Sequence, residues 1–303
     1  MEIVGRIAIP GGGEFDHAAV DLDSGRVFVA HPGAGTIAVL DAEAMVVRTT
    51  IGGCPGASGV VCDTEHGLVA AASRSGGHVL LIDGTSLEVR SQVKVGPAPN
   101  GLAFDIGRQR LLVTDVQTHE AHLIDPERGQ VVATRPLPGR PRWAVHDPQA
   151  QLFYVNIISP AQVLMLDSQT FAPCGAWDVP AEGPHGLDLD PQRRLVLVAC
   201  DSGVLVGLDA DSGAEQGRLT LPGAPDVTFH NPLTRECYVG VGDPGTVVVA
   251  DTETWTTVEG QATELGAATF AFDSRRQLLH ALLPASGQDL LLRCGAARAR
   301  YPA

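Results

Sequence analysis

The chain is poor in aromatics, poor in basic residues, and has no long apolar run. No segment holds 18 uncharged apolar residues, and the opening MEIVGRIAIPGGG carries no basic stretch ahead of an apolar one. Neither a membrane span nor an export signal is therefore expected. The six cysteines, at positions 54, 62, 174, 200, 237 and 294, form no C-x-x-C pair and no dense framework. They read as reduced, mostly buried thiols, and a cytoplasmic protein is the expectation. Lys and Arg number 21 against 35 Asp and Glu, for a net charge of −14. Affinity for nucleic acid phosphates comes from counterion release by clustered bases, so this balance disfavours a nucleic acid partner. The densest basic stretch, RPLPGRPR from Arg135 to Arg142, is Pro-rich and reads as a solvated turn. A Gly-rich phosphate loop is also missing, since PGGGEF at Pro10 to Phe15 joins strands and opens no helix. There is no G-x-S-x-G elbow and no cysteine in a nucleophile setting, so covalent catalysis is not expected.

Turn residues, in contrast, are abundant: 35 Gly and 21 Pro in a chain that is 44% hydrophobic and 5% aromatic. They punctuate a repeat. TIAVLD ends at Asp41, HVLLID at Asp83, EAHLID at Asp125, QVLMLD at Asp167, VLVGLD at Asp209 and TVVVAD at Asp251, each step being 42 residues. Within the first unit, AAVDL, RVFVA, TIAVLD and VVRTTI are short runs rich in β-branched residues, separated by Gly, Pro and Asp. None is long enough for a helix, and four antiparallel strands per unit of this length make a propeller blade. The length alone allows one large domain or two, and the repeat decides for a single domain over 1–303. The seventh repeat begins at Ala267 but ends in GAARARYPA, a poor fourth strand, whereas Ile9 stands one period before Ile51. The expected fold is all-β, a seven-bladed β-propeller with four antiparallel strands per blade. Its last blade is built from 267–294 plus 1–9, so that the N-terminal strand closes the ring and removes an open edge.

Two repeats carry a resemblance. PNGLAFD…RLLVTD…AHLID and RWAVHD…LFYVN…QVLMLD are similar to the YVTN repeat family, the YncE-like seven-bladed propellers. The resemblance covers nearly the whole chain and implies the fold. It implies little about function, because propellers host lactonases, lyases, cyclases, single-stranded DNA binders and plain scaffolds. The chain is also similar in size to gluconolactonase-type propellers but lacks their Glu-bearing opening motif.

Comparing one slot across seven blades shows where the fold leaves the residue free. The inner strand of each blade begins at the channel mouth, and there the chain places Asp16, Ser58, Asn100, Arg142, His185, Asp226 and Ala268. His17 shares the slot with His185 when the period is applied without allowance for turn length. The second strand ends at the same face, with His31, Ser73, Asp115, Ile157, Ala199, Val241 and Leu283, and with Asn156 beside its slot. Polar residues on one side and apolar ones on the other describe a small-ligand pocket. His185, Asp226 and Asp115 are the candidate acid and base groups, and Asn100, Arg142, Asn156 and Asp16 the candidate substrate contacts. His17, His31 and His185 are the candidate ligands of a divalent metal, with Zn, Fe, Mn or Ni suiting such ligands better than Ca. The periodic aspartates read as turn formers. The leading expectation is an enzyme, a metal-assisted or His-based hydrolase, lyase or isomerase acting on a small polar or anionic substrate at the channel mouth. A non-catalytic ligand-binding or protein-interaction propeller is the alternative, single-stranded DNA binding ranks below both, and a closed ring gives no reason to need an oligomer.

Overall fold

The computed structural model of the chain describes residues 1–295. Its 28 strands form seven sheets of four antiparallel strands each. Blade 1 runs from Ala18 to Ile51, blade 2 from Ala57 to Lys94, blade 3 from Pro99 to Pro136 and blade 4 from Pro141 to Asp178. Blade 5 runs from Pro184 to Thr220 and blade 6 from Pro225 to Ala262. Blade 7 takes three strands from Phe270 to Arg293 and its fourth, Glu2–Ala8, from the other end of the chain. That strand pairs antiparallel with Gln288–Arg293, from Glu2↔Arg293 to Ala8↔Gln288. The ring thus closes on itself, as the Ile9 register requires. The part of the GAARARYPA tail beyond Gly295 lies outside the described residues.

Strand position within a blade explains its composition. The second and third strands are covered on both faces by neighbouring blades, so RVFVAH and TIAVLD are nearly continuous apolar runs and almost wholly buried. The fourth strand faces solvent on one side, and VVRTTI and VRSQVK are correspondingly polar and exposed. Seven apolar clusters fill the spaces between adjacent blades. One joins blades 1 and 2 through Phe28, Val39, Val60 and Leu80, and another joins blades 7 and 1 through Ile7, Ile9, Leu291, Val27 and Leu40. Each blade is stable only against its neighbours, which is why the ring needs every interface.

The recurrent aspartates sit on the face opposite the channel mouth. Asp41 accepts the Ala44 N–H at 2.8 Å, Asp83 those of Thr85 and Ser86, Asp125 that of Arg128, and Asp251 those of Glu253 and Thr254. Each is an Asx turn linking the third strand to the fourth. The same device closes the inner strands at Asp63, Asp105, Asp147, Asp190 and Asp273, with Asn231 standing in for it in blade 6. Among the described residues no helix is long and apolar enough to cross a membrane.

Candidate functional site

The inner strands of blades 2 to 6 open with a kink. Pairing with the second strand slips between Pro99 and Leu102, Pro141 and Ala144, Pro184 and Gly186, and Pro225 and Thr228. A bulge of this kind leaves its extra residue unpaired and turns the side chain out of the ladder. Asn100, Arg142, His185 and Asp226 occupy it, each directly after the proline that starts its strand. Pro184 pairs with Cys200, so Cys200 and not Ala199 ends the second strand of blade 5, and His185 belongs with Asn100 and Arg142. The following slot holds glycine where inner strands crowd together. A Cβ on Gly101 would lie 2.2 Å from the Arg142 carbonyl oxygen, and one on Gly186 would lie 2.5 Å from that of Asp226. Four blades depart from this rule, blade 1 with His17, blade 4 with Trp143, blade 6 with Val227 and blade 7 with Thr269, and only the first two carry a ring.

The exceptions in blades 1 and 4 meet across the ring. The His17 imidazole stacks on the Trp143 ring, with centroids 4.2 Å apart and planes 5° from parallel. Between them, Asn100, His185 and Asp226, the channel narrows to a cavity of about 10 Å³, room for one water. The stacked pair is a plug.

Around the plug lies a charge network. His17 Nδ1 bonds to Asp16, and Arg74 bridges Asp16, at 3.0 Å, and the side-chain oxygen of Asn100. His185 donates Nδ1–H to Asp201 at 2.7 Å, and its Nε2 lies 3.2 Å from Asp226. Burial opposes charge on His185, but the hydrogen bonds to Asp201 and Asp226 outweigh it and push its pKa up to about 9. It is an imidazolium at neutral pH, with both nitrogens committed to carboxylates. Burial likewise opposes the Asp16 carboxylate, yet His17, Arg74 and Arg142 together hold its pKa below the usual range. Arg142 differs from Arg74 and His185 in making no side-chain hydrogen bond or ion pair with a described residue. Its Nε is buried without a hydrogen-bond partner, as is that of Arg74, and its guanidinium meets Asp201 and Asp226 only through space. Desolvation pulls its pKa down, though an arginine remains charged throughout. Beside Asp201, a recess of about 590 Å³ opens between blades 4 and 5, floored by Ile158, Ser159 and Gly183.

Several candidates from the sequence lie elsewhere or serve the fold. His31 is buried against Phe15 and bonds through Nε2 to the Gly12 carbonyl at 2.7 Å, away from the plug. Asp115 is fully buried and accepts the backbone N–H groups of Ala98, Gln117 and Thr118, which leaves it anchoring a turn. Asn156 donates to the carbonyls of His185 and Gly186, both at 3.0 Å, and so holds blade 4 to the inner strand of blade 5. With His31 occupied in this way, His17, His31 and His185 do not make a ligand set. No group of three or more His, Cys, Asp or Glu among the described residues is disposed to hold a metal ion. His185 does not fit the part of a free base either, for the same two carboxylates that orient it keep it protonated. Asp16, His17, Asn100, Arg142, His185 and Asp226 do converge.

Three partners were missed: Arg74, Trp143 and Asp201. Arg74 and Asp201 both stand one residue beyond the end of the second strand, where the other blades carry Pro32, Val116, Ile158, Gly242 and Pro284. Comparison of that slot would have exposed them.

No family model matches the sequence, and no curated protein matches it. Solved structures match it in shape. A chain in a structure titled "Crystal Structure of Mitotic Checkpoint Complex" superposes with a TM-score of 0.85 at 12% identity, over 97% of this chain and 92% of that one. A chain of Kuenenia stuttgartiensis hydrazine synthase gives 0.83 at 14% identity, over 95% and 96%. At these identities the likeness shows the fold alone, and the chain is a β-propeller whose chemistry has to be read from its own residues.

Proposed function

We propose that this propeller binds a small anionic molecule at the channel mouth, on the outer side of the His17–Trp143 plug. The observation that carries the reading is Arg142. A buried guanidinium nitrogen without a partner is costly, and a carboxylate or phosphate oxygen would complete it with a charge-assisted hydrogen bond. Arg74 and the His185 imidazolium add positive potential close by, while Asp16, Asp201 and Asp226 fix both in place. The carboxylates make the mouth close to neutral, which favours a ligand carrying hydroxyl or amine groups beside its anionic one. Kinship with YVTN-repeat propellers rests on the repeat residues quoted above. A cytoplasmic setting is supported by six free thiols, four of them buried.

A catalytic version of this reading has one specific support. An imidazolium clamped between two carboxylates is a preorganised positive charge, suited to stabilising negative charge that develops on a bound substrate. Hydrolysis or elimination on an anionic substrate fits that role better than chemistry needing His185 as base. Calorimetric titration with citrate and with inorganic phosphate tests the binding step. Saturable binding of either anion, weakened about 10- to 100-fold in Arg142→Ala, is the expected result. Absence of binding to both, or equal affinity in the variant, removes the reading.

A further inference from the structure

The channel continues past the plug. Trp143 lines the mouth cavity and also a second chamber of about 370 Å³ on the far side, open at the face of the Asx turns between Leu22, Pro191, Pro232 and Ser274. This volume falls within the range of small-molecule pockets, about 300–1,000 Å³. Its wall includes the middle of the inner strands of blades 1, 2, 5, 6 and 7, at the slot two residues before the strand-end Asp or Asn. In six blades that slot holds Ala19, Val61, Ala103, Val145, Phe229 and Ala271, and in blade 5 it holds Asp188. The fold therefore asks for an apolar residue here and blade 5 supplies a carboxylate.

Asp188 has an incomplete environment. It accepts the His230 N–H at 2.6 Å and the Leu189 N–H at 2.8 Å, and it forms no ion pair with any described residue. Desolvation pushes its pKa up, only partly offset by the His230 and Leu189 N–H groups and by through-space attraction to the His230 side chain, which itself pairs with Asp190 at 3.1 Å, and Asp190 adds repulsion. Desolvated charges are ordinarily matched by a counter-charge, and around this partly buried carboxylate the chamber has apolar and aromatic walls at Trp143, Phe229 and Phe272. A carboxylate facing aromatic rings is the arrangement that recognises an ammonium group on an apolar body: the carboxylate takes the charge, and the ring faces attract the cation.

We propose that the chamber below Trp143 is a second binding site, taking a small apolar amine whose ammonium group pairs with Asp188. This site is independent of the anion site at the mouth, since the plug separates them and they share no charged residue.

Phenethylamine and 2-phenylethanol are probes of similar shape that differ in charge at neutral pH. Calorimetric titration at pH 7 is expected to show one phenethylamine per chain, held at least about tenfold more tightly than the alcohol. Asp188→Asn is expected to abolish that preference. Val61→Phe fills the chamber from another blade without touching Asp188, and is expected to abolish binding of the amine even if Asp188→Asn fails to fold. Quenching or enhancement of Trp143 fluorescence should track the same isotherm. Equal affinity for amine and alcohol overturns the proposal. So does a preference that survives Asp188→Asn, unchanged binding in Val61→Phe, or no saturation at about 10 mM amine.

Discussion

Removing residues 1–9 should unfold the protein or leave it barely folded. The strand Glu2–Ala8 covers the third strand of blade 7, and its loss exposes the unpaired edge Gln288–Arg293. Ile7 and Ile9 are 1% and 3% exposed and belong to the cluster that joins blade 7 to blade 1. Burial of each contributes about 1.5–3 kcal/mol. The backbone hydrogen bonds of the pairing add about 0.5–1.5 kcal/mol each. Together these give a loss on the order of 5–10 kcal/mol, comparable with the whole stability of an ordinary domain, about 5–15 kcal/mol. Urea unfolding followed by circular dichroism is the assay. Point variants on the same strand grade the effect: Ile7→Ala should cost about 2–5 kcal/mol, whereas Ile3→Ala, at a side chain 51% exposed, should stay within about 0.5 kcal/mol. A truncated protein with an unchanged midpoint and slope would refute the closure of the ring by its N-terminal strand.

Further outcomes follow from the charges. The His185 pKa of about 9 lies above its ordinary value, so its stabilising effect is full below about pH 6.5 and fades as pH rises through about 9. His185→Ala should therefore cost up to about 3 kcal/mol at pH 6 and far less at pH 10, as read by urea midpoints at the two pH values. The carboxyls of Asp41 and Asp167 are held below their usual range, mainly by the N–H groups of Ala44 and Thr170 respectively. Their stabilisation is present above about pH 4 and is lost as pH falls through the depressed values, so melting temperature should drop steeply on acidification. Asp41→Asn should cost about 1 kcal/mol and leave anion binding unchanged, because it lies on the opposite face. His17→Ala should lose about 0.5–1.5 kcal/mol of stacking and alter the emission of Trp143.

The fold was legible because every blade solves the same packing problem. Six aspartates at one spacing, each ending an apolar third strand, leave little freedom for another architecture, and Ile9 alone located the seventh blade's missing strand. The site was legible only where it shares the phase of the repeat. Asn100, Arg142, His185 and Asp226 all occupy the bulge that starts an inner strand, and their polarity at that slot marked them. Asp115 and Asn156 were polar in the same neighbourhood for another reason: buried backbone groups near them need partners. Sequence cannot separate a side chain aimed at the axis from one turned into a strand end, because both demand polarity. His31 misled likewise, since the Gly12 carbonyl that holds it belongs to an irregular loop outside the repeat. The His17–Trp143 stack joins blades 1 and 4 across the ring, and no local pattern reports a contact set by ring curvature. Asp188 was hidden in the middle of an inner strand, a position the comparison of strand ends did not reach.

The most direct test of the mouth as an anion site is a crystal structure grown with whichever of citrate or phosphate binds more tightly in solution. An anion oxygen within hydrogen-bonding distance of the Arg142 guanidinium, outside an intact His17–Trp143 stack, is the result predicted. Density for the anion elsewhere on the surface, with Arg142 contacted only by water, would contradict it.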